Sequence, residues 1–143
     1  MTPYTKIYGA FLSKETEDEW AGWEDVYVKA DMETLLLSAL PYIKFPRKDL
    51  ENRNDCEGYF YDDLDNEEIQ LISTYMKIEW LNRNLLTWDN IRPMYDEADF
   101  SPGNTISQLI KLQNREEEKA ARLESTYYRS RKGKPFHYRK LAN

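Results

Sequence analysis

Residues 65–86, DNEEIQLISTYMKIEWLNRNLL, decide how the chain is organised. Asp65 stands where a helix N-cap belongs and Glu68 follows three positions later. At that spacing one side chain caps the first turn while the other reaches back to the N–H of the cap. Helix formers continue without glycine or proline to about Leu86. Ile69, Ile72, Met76, Trp80 and the aliphatic stem of Arg83 fall on one stripe at helical spacing, and Leu71, Tyr75, Ile78, Leu81 and Leu85 widen it around the cylinder. A helix apolar on so much of its circumference has to be surrounded by other elements. The expected fold class is therefore mostly α, a small helical bundle with this long central helix as its hub.

Upstream, Thr2-Pro3 reads as a cap followed by a proline in the first helical position, opening a helix that carries Tyr4, Ile7, Tyr8, Phe11 and Leu12 on one face. A second helical region is expected from Thr16, with Glu17, Asp18 and Glu19 where the helix dipole favours acids and Trp20 and Trp23 three apart. A third run, Asp31 to Leu40, presents Met32, Leu35, Leu36, Ala39 and Leu40 and is kinked or ended by Pro41. Residues 44–63, with Pro46, Gly58 and a polar cluster, read as an ordered loop. Tyr59-Phe60-Tyr61 has strand character and suggests a short hairpin around 45–63.

Downstream, Thr87 to Phe100 is expected to form a connection or short helices broken at Pro93. Ser101-Pro102 then starts a long C-terminal helix, with Ile106, Leu109, Ile110, Ala120, Ala121 and Leu123 inward and Arg115, Glu116, Glu117, Glu118, Lys119 and Arg122 outward. Gly133-Lys134-Pro135 should stop it and release an extended arm.

Charge divides the chain the same way. The first 126 residues hold 14 Lys and Arg against 26 Asp and Glu, whereas residues 127–143, YYRSRKGKPFHYRKLAN, hold six cations and no carboxylate side chain. Two units follow, a helical body over 1–126 and a basic, aromatic C-terminal arm over 127–143. A terminal basic run is often only a solvated tail. Aromatic residues in it argue for an ordering contact, because solvation alone gives them no role. The candidate partner-binding residues are Tyr127, Tyr128, Arg129, Arg131, Lys132, Lys134, Phe136, His137, Tyr138, Arg139 and Lys140. An acidic body repels a polyanion, so nucleic acid could approach the arm alone, and a protein groove is the expected partner.

Composition bounds the rest. A chain of 143 residues fits one domain with a real core, and 41% hydrophobic with 14% aromatic residues exclude wholesale disorder. Mean hydropathy of −0.84 and 32% charge describe a surface-rich, elongated or oligomeric body. No apolar run is long enough for a bilayer and the amino terminus lacks a basic segment followed by an apolar one, so no membrane partner is expected. One cysteine, Cys56, excludes an internal disulfide, and one histidine, His137, is too few for a zinc site. Those two could formally pair as nucleophile and base, but each falls in loop or tail. The five glycines are scattered and form no phosphate cradle. Asp62, Asp63, Asp65, Glu67 and Glu68 lack the glycine-centred spacing of a calcium loop, and capping already explains Asp65 and Glu68. The tryptophans at helical spacing read as packing. The chain is accordingly expected to have no catalytic residue, cofactor or metal and not to be an enzyme.

The stretches MTPYTKIYGAFLSK, DDLDNEEIQLISTYMKIEWLNRNLLTWDNIRPMYDEADFSPGN and YYRSRKGKPFHYRKLAN resemble the small head-to-tail connector, adaptor or neck proteins of tailed bacteriophages that infect Gram-positive bacteria. The resemblance covers most of the chain and rests on overall wording rather than an active-site motif. It implies a helical protein at the head-tail junction of the virion, assembled in the host cytoplasm, in a homo-oligomeric ring of about a dozen copies under the portal. The portal protein and other neck or tail proteins would be its partners, with the C-terminal arm docking on portal or on a neighbouring subunit and the body in passive contact with DNA in the channel. The alternative is a nucleic-acid-binding or DNA-packaging accessory protein that grips phosphates with the arm. A small hydrolase or an inhibitor of a host enzyme finds no supporting constellation.

Overall fold

The computed structural model describes residues 1–14, 20, 22–91, 102–131 and 134–135, with side chains for all of these except 88–91, 102–105, 130–131 and 134–135. Among the described residues the order is β1 (Thr2–Pro3), α1 (Tyr4–Ser13), α2 (Asp25–Ala39), a 3-10 turn (Leu40–Tyr42), β2 (Arg53–Asn54), β3 (Tyr59–Phe60), α3 (Asn66–Ile91), α4 (Pro102–Arg129), β4 (Ser130–Arg131) and β5 (Lys134–Pro135). The chain is a mainly α-helical bundle.

α3 is the hub. Its capping box forms in both directions: Glu68 N–H donates to Asp65 Oδ1 at 2.9 Å and Asp65 N–H donates to Glu68 Oε1 at 3.1 Å. Ile69, Leu71, Ile72, Tyr75, Met76, Ile78, Trp80 and Leu81 are all buried, as a helix flanked by α1, α2 and α4 requires. The helix runs to Ile91, past the expected stop near Leu86. Residues 92–101, where Pro93 was expected to break the connection, lie outside the described residues.

The amino terminus differs from its reading. Thr2 is no helix cap: β1 pairs antiparallel with β3, Thr2 opposite Phe60 and Pro3 opposite Tyr59, and Pro3 itself occupies the N-cap position. The Thr2 hydroxyl, fully buried, donates to the Asp62 carbonyl at 3.0 Å and accepts from Leu64 N–H at 2.8 Å. Those two bonds use the hydroxyl up in the sheet, which is why it caps nothing. Tyr4, Ile7, Tyr8 and Phe11 are buried as expected, whereas Leu12 is exposed.

The expected hairpin is present, β2 pairing antiparallel with β3 to give a small sheet of order β1-β3-β2. Its turn rests on Gly58, whose φ is +78° and whose N–H donates to Asn54 O at 2.7 Å. The Gly58 carbonyl in turn accepts from Tyr4 N–H at 2.8 Å, tying the hairpin to the first turn of α1. A Cβ there would meet Tyr4 Cδ2 at 3.5 Å, an ordinary contact, so the left-handed backbone and not crowding sets the cost of a side chain. Gly58→Ala should lose about 1 to 2 kcal/mol, read from a urea midpoint.

α2 starts at Asp25, earlier than the expected Asp31, and passes at Leu40-Pro41 into the 3-10 turn. Residues 15–19, where a second helix was expected, are outside the described residues; Trp20 occupies a turn and Trp23 is not helical. Buried Trp20 packs edge-on to Phe11 at 5.7 Å and near Trp80 at 6.5 Å, and its indole N–H donates to Asp31 Oδ2 at 2.7 Å. Asp31 also accepts from both guanidinium nitrogens of Arg83, at 2.6 and 3.2 Å. From Trp23 to Ala30 the side chains are exposed except Val28, which packs against the core, so the first turns of α2 lie at the margin of the bundle.

α4 begins at Pro102 as expected and runs antiparallel to α3, Gln113 beside Asn82, Lys77 beside Glu116 and Tyr75 beside Glu124. Ile106 and Ala120 face inward with Leu109 and Leu123 at the margin. Three positions depart from the reading: Ile110 and Ala121 are exposed, and Glu116 is buried because Lys77 on α3 offers its ammonium 3.3 Å away.

Candidate partner interface

The arm grows from a helix locked into the body. α4 ends a little before the expected stop at Gly133-Lys134-Pro135; Tyr127, Tyr128 and Arg129 form its last turn, and the chain then enters a two-residue pairing, Ser130 opposite Pro135 and Arg131 opposite Lys134. The helix continues because Tyr127 has somewhere to go. Its ring is 2% exposed and lines one small void together with Ile43, Pro46, Leu50, Glu68, Leu71 and Ile72.

Polar contacts fix that ring from two directions. The Tyr127 hydroxyl donates to Glu68 Oε2 at 3.1 Å and accepts from Arg47 N–H at 2.7 Å. The Arg47 guanidinium lies 4.0 Å above the ring and reaches Asp65 at 3.3 Å and Glu67 at 3.0 Å. Lys48 Nζ meets Glu68 Oε1 at 2.6 Å. Glu68 thus caps α3, pairs with Lys48 and holds the end of α4. Beside it Tyr128 donates to Glu124 at 2.6 Å and packs edge-on to Phe45 at 5.9 Å, and the Phe45 ring is largely exposed.

The acidic cluster at the start of α3 is therefore structural in its geometry. Asp63 lies 2.5 Å from the Met1 amino group, which lowers its pKa, while Asp65 and Glu67 face Arg47 and Glu68 faces Lys48. Among the described residues no group of three His, Cys, Asp or Glu is arranged to hold a metal ion. Cys56 is exposed in the hairpin.

Burial pushes the Tyr127 phenol above its usual 10, with Arg47 opposing the rise and Glu68 reinforcing it. Tyr4, Tyr8 and Tyr75 are raised further, desolvation again leading, with Asp55 bonded to Tyr4, Glu33 near Tyr8 and Glu124 bonded to Tyr75. A phenol whose folded pKa lies above its unfolded value supports the fold fully below pH 10 and loses that support as pH rises through the folded value. Stability should be flat on this account up to about pH 10 and fall steeply above it. Tyrosinate absorbance should then appear in two phases, the exposed phenols first and these four only with loss of helical circular dichroism.

The candidate residues thus divide into three groups. Tyr127 and Tyr128, read from the sequence as arm, are seated in the body; Arg129 is exposed at the helix end. Arg131 and Lys134 are Cα partners in register across the antiparallel pair β4 and β5, at the start of what was expected to be an extended arm. Lys132, Phe136, His137, Tyr138, Arg139 and Lys140 lie outside the described residues. Sequence reasoning missed Phe45, Arg47 and Lys48 as the other half of the lock. The only available signal was a cationic pair directly after Pro46 in a chain whose body is otherwise acidic. No protein-family model, no curated protein and no solved structure matches this chain.

Proposed function

We propose that the chain is a structural virion protein of a tailed bacteriophage, a head-to-tail connector or adaptor that forms a ring beneath the portal and joins capsid to tail. The observation that carries this reading is the seating of Tyr127: a cationic, aromatic segment leaves the body from a fixed root. A fixed root gives every copy the same take-off point, which repeated contacts in a symmetric ring require. The acidic body supports the reading as well, because a negative channel wall repels DNA and lets it slide. The arm then engages portal or a neighbouring subunit, its arginines pairing with carboxylates and its aromatics filling apolar pockets.

Removing residues 130–143 tests this, since the truncated chain keeps Tyr127 and Tyr128 and with them the lock on the body. A folded protein that no longer enters the head-tail junction, and no longer co-sediments with the portal protein of the same phage, is the expected result. Normal particles from the truncated chain would overturn the reading. The six arm cations favour one second reading, a DNA-packaging accessory protein. Arm-dependent DNA binding that weakens steeply with salt would select it, and no binding at low salt would remove it.

A further inference from the structure

At the end of the bundle away from the arm's root, an apolar surface is left exposed by the described residues. Trp23, Val26 and Tyr27 are 45%, 73% and 63% exposed, three and four residues apart on the entry and first turn of α2. They lie before the Asp31–Arg83 ion pair in the chain, on the turn of α2 whose Val28 still packs against the core. Large apolar side chains clustered and exposed at a helix end mark a surface that a partner covers. The sequence that leads into them is acidic: positions 15 to 25 carry Glu15, Glu17, Asp18, Glu19, Glu24 and Asp25 and no cation, and Glu24 and Asp25 are exposed beside the patch.

The chemistry that fits such a surface is aromatic and cationic, and the chain contains it. Residues 136–143, FHYRKLAN, offer Phe136 and Tyr138 to an apolar face and Arg139 and Lys140 to carboxylates, with no Asp or Glu to oppose them. Intramolecular docking fails on distance. The arm's root is level with Glu68, through Tyr127, and the clamp below the patch is level with Arg83. Along α3 that separation is about 22 Å, and four residues of α2 from Asp31 to Tyr27 add about 6 Å. β5 returns the chain to the level of Ser130 at Pro135, and three extended residues from there carry Tyr138 at most about 11 Å. A copy's aromatic anchors therefore cannot reach its own patch.

We propose that the N-terminal end of α2, centred on Trp23, Val26 and Tyr27, receives residues 136–143 of a second copy of the chain. This rests on the reading of the arm as the connecting element. Root and receptor sit at opposite ends, so the contact is heterologous: each copy offers an arm to one neighbour and a patch to the other, and a closing rotation makes a ring.

The test titrates a fluorescent peptide of residues 130–143 into the full-length chain carrying F136A and Y138A, so that its own arm does not compete. Fluorescence anisotropy should show saturable binding that weakens with salt. It should weaken at least tenfold more when V26S and Y27S, or E24K and D25K, are added to the acceptor. Those positions are solvent-facing, so an unchanged circular dichroism spectrum is the control for folding. No binding, or binding indifferent to V26S and Y27S, overturns the inference. So does a chain with F136A and Y138A that still self-associates through the patch, since that is a two-fold contact between patches. Capture by portal that needs the arm but ignores V26S and Y27S would remove this inference and leave the connector reading standing. Peptide binding that behaves as expected, with no capture by portal of any form of the chain, would remove that reading alone.

Discussion

Replacing Tyr127 with alanine should cost about 3 to 5 kcal/mol of stability, the range for removing a fully buried aromatic. Apolar burial supplies most of it, since the ring is 2% exposed and belongs to the hydrophobic core. Polar losses add to it, because Glu68 and the Arg47 N–H each lose a partner in a site closed to water. Tyr127→Phe keeps the ring and should cost only about 1 to 2 kcal/mol. Arg129→Ala, two residues on and exposed, should stay within about 0.5 kcal/mol. Urea unfolding monitored by circular dichroism checks all three. Equal midpoints for Tyr127→Ala and Arg129→Ala would show that the last turn of α4 is not part of the folded body.

Asp31→Ala should cost about 2 to 3 kcal/mol, because one mostly covered carboxylate serves two elements. Removing it leaves the Trp20 indole N–H without its 2.7 Å acceptor in a buried setting, and strips the bidentate partner from Arg83. Trp20 emission should shift to the red as its ring loses its fixed position between Phe11 and Trp80. Asp25→Ala, exposed in the first turn of the same helix, should change stability by under about 0.5 kcal/mol. If the two variants unfold at the same urea concentration, the clamp contributes nothing to the fold.

The central helix was legible in the sequence because its signals are local: a capping box three residues apart and an apolar pattern too wide for any surface helix. The hairpin at residues 53–60 was legible for a similar reason, strand character beside a glycine. What escaped were contacts between residues far apart in the chain. Thr2 looked like a cap because Thr-Pro is a common helix start, yet its hydroxyl is held by residues sixty positions away. Glu116 looked solvated amid a run of acids, and Lys77 across the bundle reversed that. At the candidate site the charge and aromatic content of the arm could be read directly, whereas its root could not. A tyrosine at position 127 reads as tail until Arg47 and Glu68 are seen around it.

The seating of Tyr127 also has a mechanical consequence. Ser130–Arg131 follow directly on the last turn of α4, so a pull on the arm is delivered along the axis of that helix. α4 lies antiparallel against α3 from the Gln113–Asn82 pair to the Tyr127–Glu68 pair, and a load along its axis strains those contacts together, in shear. Peeling would break them one at a time, beginning at the cheapest. A tether anchored this way passes tension into the whole length of the bundle, so the arm should detach from whatever it grips before the body gives way.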